Sequence, residues 1–207
     1  QDVDGTDINS SSYTTYSSAG VANRIYQITT EYTTAQLFDL KFAQSADVMY
    51  LCHPDHEPMK LSRTGHTSWS LTEVDFGTNG PYMDANTTTT TLTPASAGTG
   101  TSVNITASST TGINNNQGWL TTDVGRIIKF NSGEALITGR TNTTVVVCTI
   151  TKAFTNTDAT ASFQLGSFSN TTGFPSSVTF FEQRLVFAAT NDQPQTIFFS
   201  KSGDYEN

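Results

Sequence analysis

Residues 52–58, Cys-His-Pro-Asp-His-Glu-Pro, are the densest group of side chains in this chain that could bind a metal ion. Thiolate, imidazole and carboxylate groups are the usual ligands of zinc, and the candidate ligands here are Cys52, His53, Asp55 and His56. Adjacent residues of a strand point to opposite faces, so Cys52 and His53 do not face one ion. The other His and Cys residues, His66 and Cys148, do not form a second ligand pair. Two prolines and an Asp are typical of a tight turn, so we predict a hairpin turn and no metal site.

Glu73 and Asp75 are a second candidate for chemistry, because residues i and i+2 of a strand share a face. Two carboxyl groups at suitable spacing catalyse glycoside hydrolysis, but a solvent-facing strand is the simpler interpretation, and we favour it. A Ser framed as Gly-x-Ser-x-Gly does not occur. Gly98-Thr99-Gly100 lacks the following Lys of a phosphate-binding loop. The sequence predicts no catalytic residue, no cofactor and no enzymatic activity.

Composition narrows the class of protein further. The chain is 35% hydrophobic and 14% charged, with Thr, Ser and Asn abundant, and β-branched Thr is typical of exposed strand faces. Proteins of this composition commonly work outside cells or in particles. The net charge of −8 disfavours tight binding to nucleic acid, which requires clustered Lys and Arg. No run approaches the ~20 apolar residues of a membrane span, so we predict none.

The elements that position these residues are predicted to be strands. A Thr33–Gln36 capping box predicts one short helix over 35–40, and alternation predicts strands near 24–30, 47–52, 59–63, 68–76, 88–93, 102–108, 124–130, 135–138, 144–151 and 161–165. Both cysteines lie in apolar runs and are predicted to be small buried hydrophobes. Trp69 and Trp119 are predicted to anchor the two sheets, and the predicted core contains Phe180, Phe181, Phe187, Phe198 and Phe199. An interface role of Tyr13, Tyr16 and Tyr32 stays open.

Residues 42–65 and 180–203 share one pattern of strand, Pro-containing turn, strand and basic-Gly turn. Such a hairpin does not bury its apolar face alone, and repeated hairpins build propellers or arrays. The segment 85–167 changes composition and is predicted to be an inserted small antiparallel barrel or sandwich. The predicted organisation is a polar arm over 1–23, a β-propeller-like platform over 24–84, the insert over 85–167, and a second platform hairpin over 168–207, all as part of a longer chain.

Several of these segments resemble tail nozzle proteins of short-tailed bacteriophages, also called tail tubular protein B. The resemblance lies in residues 28–33, 39–51, 53–58, 60–63, 173–175, 182–188 and 200–205. Between them, Trp119 and the run 123–126 (Asp-Val-Gly-Arg) resemble the small β domain that these proteins insert. One departure is Glu31, where the family pattern has Pro.

The resemblance implies a structural protein of the virion tail. Such subunits form a homo-oligomeric ring, sixfold in the family, below the tail adaptor protein, with tail fibres docked nearby and DNA passing through the channel without sequence-specific binding. An acidic channel wall would repel phosphate and let DNA slide. Two other functions stay open: a receptor- or glycan-binding β module of a tail spike or adhesin, and an enzyme of surface polysaccharide that uses Glu73 or Asp75.

Overall fold

The computed structural model describes residues 13–14, 25–26, 28–65, 67–76 and 80–207, and this part of the chain is all-β. Two short 3₁₀ helices cover Thr34–Gln36 and Thr121–Asp123. The strands are β1 (Tyr13–Thr14), β2 (Ile25–Tyr26), β3 (Lys41–Ser45), β4 (Val48–His53), β5 (His56–Gly65), β6 (Ser68–Glu73), β7 (Leu92–Pro94), β8 (Gly100–Ala107), β9 (Ile127–Phe130), β10 (Gly133–Arg140), β11 (Val145–Lys152), β12 (Phe163–Leu165), β13 (Ser177–Phe181), β14 (Arg184–Ala188) and β15 (Ile197–Phe199).

The four strands β3 to β6 form an antiparallel meander in chain order. Tight turns join β3 to β4 and β4 to β5, and the turn between β4 and β5 contains Pro54 and Asp55, so that His53 pairs with His56. The hairpin turn predicted for this run is therefore confirmed. Met49 and Leu51 of β4 lie opposite Leu61 and Met59 of β5, which are apolar cross-strand pairs that stabilise the hairpin.

A second meander, of three strands, is formed by β13, β14 and β15. Glu182 and Gln183 connect β13 to β14, and both have a positive φ, at 46° and 59°. Two consecutive residues with positive φ form the type of turn that matches the twist of a two-residue hairpin. The longer connection between β14 and β15 contains Pro194, in agreement with the predicted Pro-containing turn.

The repeat in the sequence corresponds to these two meanders, but the copies do not match residue by residue. Gln44 lies inside β3, before the turn at Ala46, whereas Gln183 is part of the turn itself. Phe187 belongs to the core that also contains Tyr50 and Cys52. Leu51, which lies between them in β4, points to the opposite face.

Aromatic packing joins the two meanders. Tyr50, Cys52, Val74, Leu185 and Phe187 are buried together, and Phe76, Phe168, Phe180, Phe198 and Tyr205 pack around them. The rings meet edge to face, with Phe76 and Phe187 centroids 6.0 Å apart and Phe168 and Phe198 centroids 5.0 Å apart, which is the favoured arrangement of aromatic pairs. β13 lies beside β3 and β4 as a result.

β1 and β2 pair with each other, and the remaining six strands form an antiparallel sheet in the order β12-β9-β10-β11-β8-β7. The sheet curls as a half-barrel, and Leu92 of one edge strand exchanges two backbone hydrogen bonds with Thr160, close to the other edge strand. Its interior is a separate core that includes Leu92, Ile105, Ile113, Trp119, Ile128, Phe130, Ile137, Val146, Cys148, Ile150 and Phe163. All six strands lie between residues 92 and 165, inside the segment predicted as an insertion.

Two predicted elements differ from the structure. The helix over 35–40 is a single 3₁₀ turn over Thr34–Gln36: Gln36 Oε1 accepts the backbone N–H of Thr33 at 3.0 Å, as a capping box requires, but the turn buries no residue. Without an apolar face against the core, a short helix gains too little to extend. Of the strand predicted near 24–30, Ile25–Tyr26 form β2 and residues 28–30 are not in a strand. Most of the predicted arm over 1–23 lies outside the described residues.

Each of the two cysteines lies in a different core. Cys52 is buried in the aromatic core between the meanders, and Cys148 is buried inside the six-stranded sheet. Burial raises the pKa of both thiols to about 12. Both are free, which confirms that they act as small buried hydrophobes.

Phe187→Ala is expected to destabilise the protein by roughly 3–5 kcal/mol, the usual cost of removing a fully buried aromatic side chain. Phe187 touches the rings of Phe76 and Phe168, so its loss opens a cavity where three segments meet. Phe181→Ala is the matched control, since that ring is 57% exposed and its loss is expected to change the stability by about 0.5 kcal/mol or less. Urea unfolding followed by fluorescence measures both, and equal effects would contradict the packing described.

Candidate functional site

The turn that contains the candidate metal ligands holds its two histidines in place by contacts within the protein. His53 Nδ1 accepts the backbone N–H of Asp55 at 3.1 Å, so in the neutral ring the proton lies on Nε2. A nitrogen that carries a proton does not bind a metal. The thiol of Cys52 faces the aromatic core on the other side of β4, as the alternation of strand side chains predicts.

Tyr32 packs against this pair of histidines. Its ring centroid is 5.2 Å from that of His56 and 6.3 Å from that of His53. Burial, and then the charge of Glu31, raise the pKa of Tyr32 to about 12. In the described residues no group of three or more His, Cys, Asp or Glu side chains could hold a metal ion. Tyr32 is therefore partly buried against this turn and is not an exposed interface residue. His66 and the side chains of Tyr13 and Tyr16 lie outside the described residues.

Carboxyl groups converge in a cleft between the four-stranded and six-stranded sheets. The cleft has a volume of about 460 Å³, and its acidic residues are Glu57, Glu73, Asp75 and Glu134. Glu134, on β10, is buried and bonded to the hydroxyl of Tyr82 and, at 3.3 Å, to that of Thr151. The sheets thus place acids from three different strands or strand ends around one space.

Glu57 and Glu73 form a hydrogen-bonded pair of acids in the cleft. The pKa of Glu57 is raised to about 7, first by burial, then by the charge of and hydrogen bond to Glu73, and last by the charge of Glu31. Burial and a neighbouring carboxylate both favour the protonated form of Glu57, which donates a hydrogen bond to Glu73. The predicted pair was Glu73 and Asp75. Both line the cleft, but the partner that shares a hydrogen bond with Glu73 is on the neighbouring strand.

Glu57 was missed because it was counted as part of the turn. β5 pairs with β6 so that Met59 lies opposite Glu73, and residues two positions apart share a face. Glu57, two positions before Met59, therefore lies on the face of the ladder that carries Glu73. A prediction of this register from sequence would have found the pair.

The three-stranded sheet is apolar on both faces. Its inner face carries Val178, Leu185, Phe187 and Phe198 and packs on the four-stranded sheet. Its outer face carries three large apolar side chains that are more than half exposed, and we call them the outer patch: Phe181, Ile197 and Phe199. Two of the phenylalanines predicted to be core are therefore at the surface.

The four-stranded sheet has the same property. On the face opposite Tyr50 and Cys52, the ladder aligns Phe42 with Leu51 and Met59, and Met49 with Leu61 and Leu71. Phe42 is 63% exposed. Trp69 lies on the edge strand β6, with the guanidinium of Arg63 5.9 Å from its ring centroid, and is 37% exposed. Trp119 is fully buried in the six-stranded sheet, as predicted, whereas Trp69 does not anchor its sheet.

A polar cavity of about 300 Å³ is lined by loops of the six-stranded sheet and by its edge strand β12. Its wall includes the buried side chain of Arg126, the exposed acids Asp84 and Asp192, and the loop 112–118. Asn114, Asn115 and Asn116 in this loop all have positive φ, a conformation that Asn tolerates better than most residues.

Neither a family model nor a curated protein matches this chain. In the described part of the chain, no helix has the length and apolar character needed to cross a bilayer.

Glu57→Gln is expected to raise the melting temperature at pH 8 and to leave it almost unchanged at pH 4. The pKa of Glu57 is raised from 4.5 to about 7 in the folded state. The folded protein therefore holds this proton more tightly than the unfolded chain, and stability falls as pH rises from about 4.5 to 7. The Gln variant cannot ionise at this position and therefore does not lose this stability. Melting temperatures recorded at pH steps from 4 to 8 measure the difference.

Asp39→Asn is the control for this comparison, because it removes one exposed carboxylate that does not line the cleft. Its melting temperature is expected to follow the unmodified protein across the whole range. An identical pH profile for Glu57→Gln and the unmodified protein would contradict the raised pKa of Glu57.

Proposed function

We propose that this chain is a structural subunit of a bacteriophage tail, of the nozzle type, that assembles into a ring through which the genome leaves. The observation that carries the proposal is the pair of small sheets with apolar side chains on both faces. A sheet of this kind is stable in the interior of a stack, where each face has a neighbour. The sequence resemblance to tail nozzle proteins supports the same function independently.

The proposed architecture is a β-propeller-like platform with an inserted small β domain. The two meanders would be neighbouring parts of the platform, in contact through Tyr50 and Phe187. The outer patch and the face with Phe42 would then contact further sheets, from the same polypeptide or from neighbouring subunits. The six-stranded sheet would be the insert, and the tail adaptor protein and tail fibres would be partners of the assembled ring.

The location in the particle is tested directly on phage whose genome encodes the chain. Purified virions are expected to contain it by mass spectrometry, and gold-labelled antibodies raised against it are expected to mark the tip of the tail. Antibodies against a capsid protein of the same phage serve as the control for access to the particle. Labelling restricted to the head, or virions that lack the chain, would refute the proposal.

Self-association through the exposed face is a second test. Phe181→Ser combined with Phe199→Ser is expected to shift the chain toward the monomer, because it removes much of the exposed apolar surface. Val124→Ser is the matched control, since Val124 is 42% exposed but lies outside the meanders. Sedimentation velocity over a concentration series measures the change. Equal association of all three proteins would contradict a role of this face.

DNA is expected to pass without being held. At about 0.15 M salt, where a protein with few clustered cations keeps little affinity for phosphate, no retardation of double-stranded DNA is expected in a gel-shift assay. A variant with Lys at four exposed acidic positions (Asp39, Asp47, Asp84 and Asp158) is expected to retard it, which shows that the assay detects binding. Retardation by the unmodified chain would contradict an acidic channel wall.

The alternative function is a receptor- or glycan-binding β module of a tail spike or adhesin. The polar cavity beside Arg126 is the specific observation that favours it. Binding of the chain to isolated host envelope, together with its absence from the tail nozzle in the labelling experiment, would select this alternative.

A further inference from the structure

The cavity beside Arg126 is built around a guanidinium group that is 1% exposed. Nε donates to the carbonyl oxygen of Gly166 at 2.8 Å, and Nη1 donates to Asn114 Oδ1 at 2.8 Å and to Asp123 Oδ1 at 3.1 Å. These bonds fix the group in the wall of the cavity. Within the described residues, Nη2 donates to the thioether of Met83 at 2.9 Å. A thioether sulfur is a weak acceptor.

A buried nitrogen with two N–H groups and a sulfur as its partner retains the capacity to donate to an oxygen. Buried donors are normally paired with a good acceptor, because the unpaired state costs desolvation free energy. Met83 and Arg126 both line the cavity, so an oxygen from a bound molecule could accept from Nη2. The first requirement on a ligand is therefore a hydrogen-bond acceptor.

A second part of the cavity wall sets the second requirement. Asp84, Asn115, Gln117 and Asp192 also line the cavity, and their side chains form no hydrogen bond to any residue that the structure describes. Two of them are carboxylates, which accept and do not donate, and the other two are amides, which do both. A ligand must therefore supply hydrogen-bond donors to this wall as well as an acceptor to Arg126.

The charge of the cavity wall excludes simple ions as its ligand. The charge of Arg126 is compensated by its ion pair with Asp123, so Asp84 and Asp192 leave the cavity net negative, and an anion would be repelled. A cation would lie beside a buried guanidinium group. A neutral ligand rich in hydroxyl groups satisfies both parts of the wall, because each hydroxyl is donor and acceptor at once.

The size agrees with a small ligand of this class. Ligand pockets range over about 300–1,000 Å³, so the volume of about 300 Å³ corresponds to one sugar ring and not to a long oligomer. Phe163 and Leu165 of β12 supply an apolar part of the wall, against which the C–H face of a pyranose can pack. Asn114 holds the loop in position by donating to Gly118 O at 3.0 Å and to Asp123 Oδ2 at 2.7 Å.

We propose that this cavity binds a neutral sugar residue, with Arg126 as donor and with Asp84, Asn115, Gln117 and Asp192 as partners of its hydroxyl groups. The ligand is a free hexose or a residue of a neutral polysaccharide. The inference does not depend on the function in the tail: a nozzle subunit or an adhesin could each carry such a site.

Binding is tested on the full 207-residue chain by saturation-transfer difference NMR and titration calorimetry. The probes are glucose, galactose, mannose and their oligomers, with glucuronate as an anionic comparison and glucosamine as a cationic one. Saturable binding of at least one neutral sugar is expected, with Kd in the range of ~0.1–10 mM. A free hexose that binds as tightly as its oligomers indicates a single-ring site, and tighter binding of an oligomer identifies the polysaccharide as the source.

The Asn115→Ala, Asp192→Ala double variant is expected to weaken this binding about tenfold or more. The sugar loses its hydrogen bonds to the charged carboxylate of Asp192 and to the neutral amide of Asn115. Both side chains are exposed, so the fold is retained. Asp84→Asn is a second variant that keeps the shape of the wall, and Asp39→Ala is the control. Binding that is absent for every neutral sugar, unchanged in both variants, or strongest for glucuronate would overturn the proposal.

Discussion

Two small sheets with apolar side chains on both faces are the constraint on which the rest of this structure depends. The inner faces meet and bury Tyr50, Cys52, Leu185 and Phe187. The outer faces retain Phe42, Phe181 and Phe199 at the surface. Removing such area from water is the main favourable contribution to association, and exposed apolar patches mark interaction sites. This exposed apolar surface is the structural basis of the assembly that we propose.

The six-stranded sheet differs from the two small sheets in how its apolar side chains are packed. It has a separate, enclosed core. A buried ion pair between Asp123 and Arg126 holds its loops in place, and both residues are also hydrogen-bonded to Asn114. Burial lowers the pKa of Arg126, while the charge of and hydrogen bond to Asp123 act in the opposite direction. Because a buried charge is tolerated when it is paired and hydrogen-bonded, this network fixes the loop 112–118 and the walls of the polar cavity. One part of the chain thus exposes apolar surface, and the other contains a preformed polar cavity.

Local chemistry made much of the fold predictable from sequence. The Pro54-Asp55 turn, the strands with alternating apolar residues and the burial of Trp119 follow from patterns within a few residues. The pairing of strands and the packing of sheets were not predictable from such local patterns. The Glu57–Glu73 pair depends on the register between β5 and β6, and the exposure of Phe181 and Phe199 depends on which face meets the neighbouring sheet. Arg126 was noticed as part of a resemblance, but its burial arises from Asn114 and Gly166, which are distant in sequence.

The two cysteines allow the unfolding of two parts of this chain to be followed separately. These two halves are the pair of meanders, which contains Cys52, and the six-stranded sheet, which contains Cys148. Each half contains one thiol, fully shielded and with little tendency to ionise, so a thiol reagent reacts with Cys52 or Cys148 only after the surrounding half has opened. Peptide mapping of the modified sites would then show whether the halves unfold together or one before the other. No engineered probe is required, because the native side chains already report on each half separately.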